Sequence, residues 1–288
     1  MDTIFDIYLL EAIVNGVLLG GVLGLLALGL NLVFGVIDVV WICYAELVML
    51  GMYTVYFLHV VYGVPVLLAC LGAVVVVGVL GALLHYLVIR PVLQSEPINQ
   101  LLVTGGVLFF LQSFATLVFG IEFRNLGLKL PILNFGEMYF SYARVLAFLV
   151  ALAGMVGLYL FLTRTFLGTA IRAIAQDREI MPLMGVDSRK LYLVTSGIGG
   201  GLAGLAACLL VLQYDVHPAI GLTFGPITFM ICVLGGLGNM IGGFVAAFII
   251  SQFISIGGFF FHIEWGYVIA FAFFILTMFI RPQGLFGK

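Results

Sequence analysis

The stretch that decides the fold is residues 12–37, AIVNGVLLGGVLGLLALGLNLVFGVI, bracketed by Glu11 and Asp38. It holds 26 residues without a charge, and a helix needs about 20 apolar residues to cross a bilayer. The same reading extends along the chain. Residues 47–89 give room for two such helices, broken at His59–Pro65, while 97–121, 145–163 and 191–214 give one each. Residues 216–263 hold two more and 265–280 a last one. The expectation is an all-α polytopic membrane protein with eight full helices and one short or re-entrant segment near Pro226–Gly238.

Composition agrees. Of 288 residues, 64% are apolar and 8% charged, against about 45–50% and 25% in a soluble domain. That excludes a soluble enzyme, a disordered tail and a nucleic-acid binder; with a net charge of −2 there is no basic stripe for phosphates. The acidic start, Met1 to Glu11, lacks the positive n-region of a secretory signal, so the first segment is expected to stay in the membrane. No polar stretch is long enough for an independent core, and the chain reads as one membrane domain, 1–288.

Orientation follows the basic residues. With the loop at about 164–190 in the cytoplasm, Arg90, Arg164, Arg172, Arg178, Arg189, Lys190, Arg281 and Lys288 fall inside. Arg124, Lys129 and Arg144 then fall outside with the N-terminus.

Several motifs carry no chemistry. Cys43, Cys70, Cys208 and Cys232 stand singly in apolar runs, without metal or redox spacing. The four histidines form no helical pair. Gly199, Gly201 and Gly204 fit GxGxxG, but the fingerprint needs a strand before it in a soluble βαβ unit. No GxxxxGK[ST] is present, so the chain binds no ATP through a P-loop of its own. No cofactor is expected.

Glycines recur at small-xxx-small spacing: Gly16, Gly20 and Gly24, then Gly197, Gly201 and Gly204, then Gly238, Gly242 and Gly243. This lets helix backbones approach in lipid, and it suits both plain packing and helices that rock around a path. Gly21–Leu28 also resembles Gly201–Cys208, a hint of the internal repeats of transporters.

A charge deep in a span costs about 2.5–3.5 kcal/mol on the insertion scale and carries a functional hypothesis by default. An acid at a helix N-terminus recovers about 0.3–1 kcal/mol. Glu46 is therefore either an interfacial N-terminal acid or a residue of the path, and Asp38 a turn residue. Asn31, Thr104, Gln112 and Ser196 are polar groups inside spans; each alone reads as an interhelical hydrogen bond, and together they suit a small polar solute better than an ion pore.

Phe166–Asp187 reads as an amphipathic cytoplasmic element. Asp177 is placed to cap a short helix from Arg178, Gly185 suits its left-handed C-terminal position, and Pro182 should kink it. Its apolar residues Ile180, Leu183, Met184 and Val186, rimmed by charge, point to a docking site.

These residues carry a resemblance. Asn15-Gly16, Ala27-Leu28-Gly29-Leu30, Phe34-Gly35-Val36, Glu46–Tyr53, Arg172–Asp187, Leu234–Gly238 and Arg281–Gly287 together resemble LivH-type permease subunits of branched-chain amino acid ABC transporters. The resemblance implies a non-catalytic subunit of an importer in the bacterial inner membrane. It also implies a second, LivM-like permease subunit, two ATP-binding subunits and a periplasmic solute-binding protein. The ATPase-coupling residues would be Arg172, Asp177, Arg178, Glu179, Met184, Gly185 and Asp187. The substrate path would include Asn31, Tyr44, Glu46, Thr104, Gln112 and Ser196. Where the family usually shows Asn-Phe-Ala-His-Gly-Glu, this chain has Trp41-Ile42-Cys43-Tyr44-Ala45-Glu46: Tyr44 replaces His and Ala45 replaces Gly. Related permeases serve urea, short amides or aromatic acids, so the solute need not be an aliphatic amino acid. A stand-alone carrier or channel is the alternative, and it predicts buried charge pairs for ion coupling.

Overall fold

Helix α1 spans Asp2–Ile37, and its 36 residues extend about 54 Å at 1.5 Å each, well beyond a ~30 Å hydrocarbon layer. It is the spine of the bundle. In this computed structural model residues 2–128, 131–135, 138–178 and 185–287 are described. After α1 come α2 (Tyr44–Tyr56) with a π-helical extension, Phe57–Val61, and α3 (Val66–Leu84), prolonged by a second π-helical turn, His85–Ile89. Then follow α4 (Pro97–Phe119), α5 (Tyr142–Arg164), α6 (Phe166–Gln176) and α7 (Ser188–Leu210). The chain ends with α8 (Ile220–Gly235), α9 (Met240–Phe260) and α10 (Ile263–Ile280).

Among the described residues, seven helices are long and apolar enough to cross a membrane, and Ile220–Gly235 and Glu264–Ile280 are shorter apolar helices. The doubtful segment is a helix, α8, that begins before Pro226, ends at Gly235 and at 16 residues is shorter than the seven long ones. At its start, Val216 and Arg124 exchange backbone hydrogen bonds (2.9 and 2.7 Å). At its finish, Leu234 O accepts from Leu285 N at 2.7 Å, beside the C-terminal tail. A hairpin in the loop after α4, Ile132–Phe135 paired antiparallel with Met138–Ser141, is a small addition to the helical expectation.

The closest helix pairs are α3 with α7 and α1 with α9, and glycines make them so. A methyl placed on Gly81 would lie 3.0 Å from Gly200 Cα, and one on Gly20 would lie 2.9 Å from the Phe248 ring. Backbone against backbone maximises dispersion contact where lipid gives no hydrophobic drive between helices. The core runs through α1, α2, α7 and α8. By contrast α4 buries only Gln100, Thr104 and Ala115 and turns its aromatic and aliphatic side chains outward. It is fastened through Tyr53, which stacks on Phe119 at 4.2 Å.

Candidate functional site

Residues 38–43 are not helical, yet they are largely buried within the bundle. Irregular backbone is tolerated at membrane depth only where protein satisfies it or a cavity borders it. Asp38 takes φ +64, a left-handed turn that Asp adopts more readily than most residues. Thr104, fully buried, donates its hydroxyl to Val40 O at 3.0 Å and so pins the segment to α4. Trp41 is 1% exposed, and its ring centre lies 6.2 Å from that of Tyr44 in the first turn of α2.

The segment delivers the N-terminus of α2 into the interior. Tyr44 is buried, and its hydroxyl donates to Gly199 O at 3.2 Å, a carbonyl halfway along α7. Glu46, in the first turn of α2, is fully buried, and neither carboxylate oxygen has a hydrogen-bond partner. Its carboxylate packs on Gly221, in the first turn of α8; a methyl there would lie 2.6 Å from the carboxylate carbon. Two helix N-termini therefore converge on one carboxylate, each contributing roughly half a positive elementary charge. Discontinuous helices meeting in this way build solute sites in membrane transporters. Beside this pair lies a cavity of about 250 Å³, lined by Trp41, Tyr44, Ala45, Gly221, Pro226 and Phe229 among others.

The residues expected on the path do not all gather there. Tyr44 and Glu46 stand together in the first turn of α2 beside the cavity, and Thr104 supports the segment that leads to them. Ser196, buried with a partnerless hydroxyl, sits one turn from Gly199 on α7. Asn31 lies elsewhere: its Oδ1 accepts from Gly238 N at 3.2 Å and holds the turn between α8 and α9. Gln112 is half-buried on α4, a helix only loosely held. Gly221 was not singled out from the sequence, and its one signal was a small residue opening an apolar segment.

A second cavity, of about 380 Å³, opens at the end of the bundle that carries the N-terminus and is lined by Glu11, Asn15, Arg144, Gln213, Tyr214 and Ser255 among others. Arg144 Nη1 donates to Asn15 Oδ1 at 2.9 Å, and among the described residues no ion pair joins Glu11 to Arg144.

At the opposite end, α6 starts with the Thr165 hydroxyl accepting from Gly168 N at 3.0 Å and exposes Arg172. Asp177 closes α6, its N–H donating to Ala173 O at 3.1 Å, and Arg178 follows in a turn. Glu179 and Met184, with the short helix expected around them, lie outside the described residues. Gly185 has φ +81, which glycine adopts without steric cost. Asp187 caps α7, accepting from Arg189 N at 3.1 Å and Lys190 N at 3.4 Å. Those backbone hydrogen bonds, that from Lys190 foremost, hold its carboxyl below the usual range. Arg178 Nη1 pairs with Asp38 Oδ2 at 2.9 Å, joining this loop to the segment that enters the site.

Seven long apolar helices among the described residues, broken backbone meeting at a buried carboxylate, and a basic loop tied to that backbone mark a multi-pass membrane protein. The sequence comparisons place it more narrowly. Residues 12–278 match the family described as "Branched-chain amino acid transport system / permease component", and the chain belongs to that family. The high-affinity branched-chain amino acid transport system permease protein BraD of Pseudomonas aeruginosa is 31% identical, over 97% of this chain and 96% of that protein. LivH of Escherichia coli K12, named for the same transport, is 27% identical over 98% and 96%. Among solved structures, a chain of PsaBC from Streptococcus pneumoniae in complex with Fab shares the fold, with a TM-score of 0.56 at 12% identity, covering 98% of this chain and 97% of that one.

Proposed function

We propose that the chain acts as a single transmembrane permease domain of an ATP-driven importer in a bacterial inner membrane. It would carry branched-chain amino acids or a related small polar solute past Glu46 and perform no covalent chemistry. ATP hydrolysis belongs to two separate subunits that dock on the basic loop; a second, LivM-like permease completes the path, and a periplasmic binding protein delivers the solute to the end bearing Glu11 and Arg144. Opposite charges held apart across one cavity suit a zwitterion. The observation that carries the reading is the partnerless carboxylate of Glu46 where α2 and α8 begin.

Coupling would run through the Arg178–Asp38 pair. Docking on the loop pulls Asp38, and residues 39–45 transmit the pull to Glu46, biasing two arrangements of the site. The test is ATP-dependent uptake in vesicles containing all partner subunits, comparing wild type with Asp38→Asn, Arg178→Gln and the double variant. Each single variant should lower uptake per ATP hydrolysed, with the double variant no worse than either. Additive losses, or none, would break the proposed connection.

A further inference from the structure

The basic end of the bundle holds a third cavity, of about 500 Å³, between the end of α3 and the start of α7. That is an ordinary size for a small-molecule or headgroup site. Three of its lining residues are cations, Arg90, Arg189 and Lys190, against one carboxylate, Asp187. Asp187 is already occupied: Lys190 Nζ lies 3.5 Å from its Oδ2, and it caps α7. Among the described residues no carboxylate stands within ion-pair distance of Arg90 or Arg189. The Arg90 guanidinium is held over the Tyr86 ring, 5.3 Å from its centre, which fixes its direction.

A second observation points at a ligand. His85 also lines the cavity, is 3% exposed, and its Nδ1 has no hydrogen-bond partner. It opens the π-helical turn His85–Ile89, and such turns inside α-helices recur at functional sites. Just along α3, Leu83 and Leu87 are exposed apolar side chains where acyl chains would lie.

We infer that this cavity binds the phosphate headgroup of an anionic phospholipid of the inner leaflet, with Arg90 and Arg189 as the phosphate ligands. Basic pockets between transmembrane helices on the cytoplasmic side take such headgroups, and here three cations and the buried imidazole line one cavity, with exposed leucines on the same stretch of chain. A lipid seated there would touch Asp187, where the coupling loop joins α7.

The test is native mass spectrometry of the intact importer complex, released from detergent with graded phosphatidylglycerol, phosphatidylcholine of the same acyl chains, or inorganic phosphate. Phosphatidylglycerol should be retained at least tenfold better than phosphatidylcholine and should resist displacement by millimolar phosphate. Arg90→Gln and Arg189→Gln should each weaken retention about fivefold, as expected for one basic group at an anionic surface. Arg164→Gln, a basic residue outside the cavity, should leave it unchanged. Equal retention of the two lipids, displacement by phosphate, or retention unaffected by both cavity variants would overturn the assignment. Binding is read without ATP, so a failure of the transport reading leaves this result standing.

Discussion

Replacing Glu46 separates a packing role from a transport role, because the two predict opposite stability effects. Its two carboxylate oxygens are buried without partners, and a buried polar group left unsatisfied costs about 1–3 kcal/mol, more when charged. The two helix N-termini return about 0.3–1 kcal/mol each, up to about 2 in buried geometry. Counted for both oxygens at mid-range, the cost is about 4 kcal/mol against a return of about 1 kcal/mol, so the carboxylate destabilises the fold by about 3 kcal/mol. Glu46→Leu removes both oxygens at similar volume and should raise the melting temperature by roughly 2–4 °C per kcal/mol. The same change should cut ATP-dependent uptake more than tenfold. Glu46→Gln keeps the shape, leaves polar atoms still unpaired, and should change stability little while losing uptake as severely. Thermal unfolding of the purified complex and solute uptake in proteoliposomes read the two quantities from one preparation. A Glu46→Leu protein that melts lower yet transports normally would refute the reasoning, since the carboxylate would then be a structural prop.

Gly221→Ala puts a methyl 2.6 Å from the Glu46 carboxylate carbon and should depress uptake; adding Glu46→Asp, shorter by one methylene, should restore part of it in the same assay. Gly200→Ala drives a methyl to 2.6 Å from Val77 O, a backbone clash that cannot relax by rotamer, so the α3–α7 pair should lose about 1–3 kcal/mol, as overpacking costs, seen as a lower unfolding midpoint. His217 packs its ring 4.6 Å from Phe123, and burial, opposed by Asp215, pushes its imidazole below the ordinary value. A depressed histidine binds its proton more readily once unfolded, so the contact is intact above pH ~6.5 and weakens as the pH falls below it. Hydrogen-exchange protection in residues 120–128, taken relative to the intrinsic rate at each pH, should fall between pH 7.5 and 5.5, and His217→Phe should flatten that dependence.

What was legible in the sequence was whatever depends on solvent. Uncharged runs located every long helix among the described residues, because burying charge in lipid is expensive, while α1 and α5 continue past their runs to take in Glu11 and Arg144. The Gly16–Gly20–Gly24 spacing likewise marked α1 for close packing, and the structure supplies the partner, α9. The site was harder. Glu46 stood out because a lone acid in an apolar stretch demands a reason, but its counterpart Gly221 carries no signal of its own and matters only through what lies across from it. Thr104 and Asn31 looked alike on paper, polar groups inside spans; one braces irregular backbone near the site and the other ties down a distant turn. Which long-range carbonyl or N–H a polar side chain meets, Val40 O or Gly238 N, is decided by tertiary packing that periodicity does not encode.

The helices themselves make poor moving parts. The α3–α7 seam sets glycine backbone on glycine backbone and the α1–α9 seam seats Gly20 and Gly24 against Phe248 and Phe244, and interfaces packed to that density hold one arrangement or jump to another. Residues 38–43 are different: they lack the helical ladder, and one threonine hydroxyl pins them from α4. Their outer anchor is the Arg178–Asp38 pair, with side chains 35% and 58% exposed, and exposed pairs of this kind contribute about 0.2–1 kcal/mol. On the proposed reading that weakness is functional. A contact worth more would hold the segment in one state through the whole cycle, whereas one near thermal energy can be made and broken at every turnover while still deciding which arrangement of α2 and Glu46 prevails.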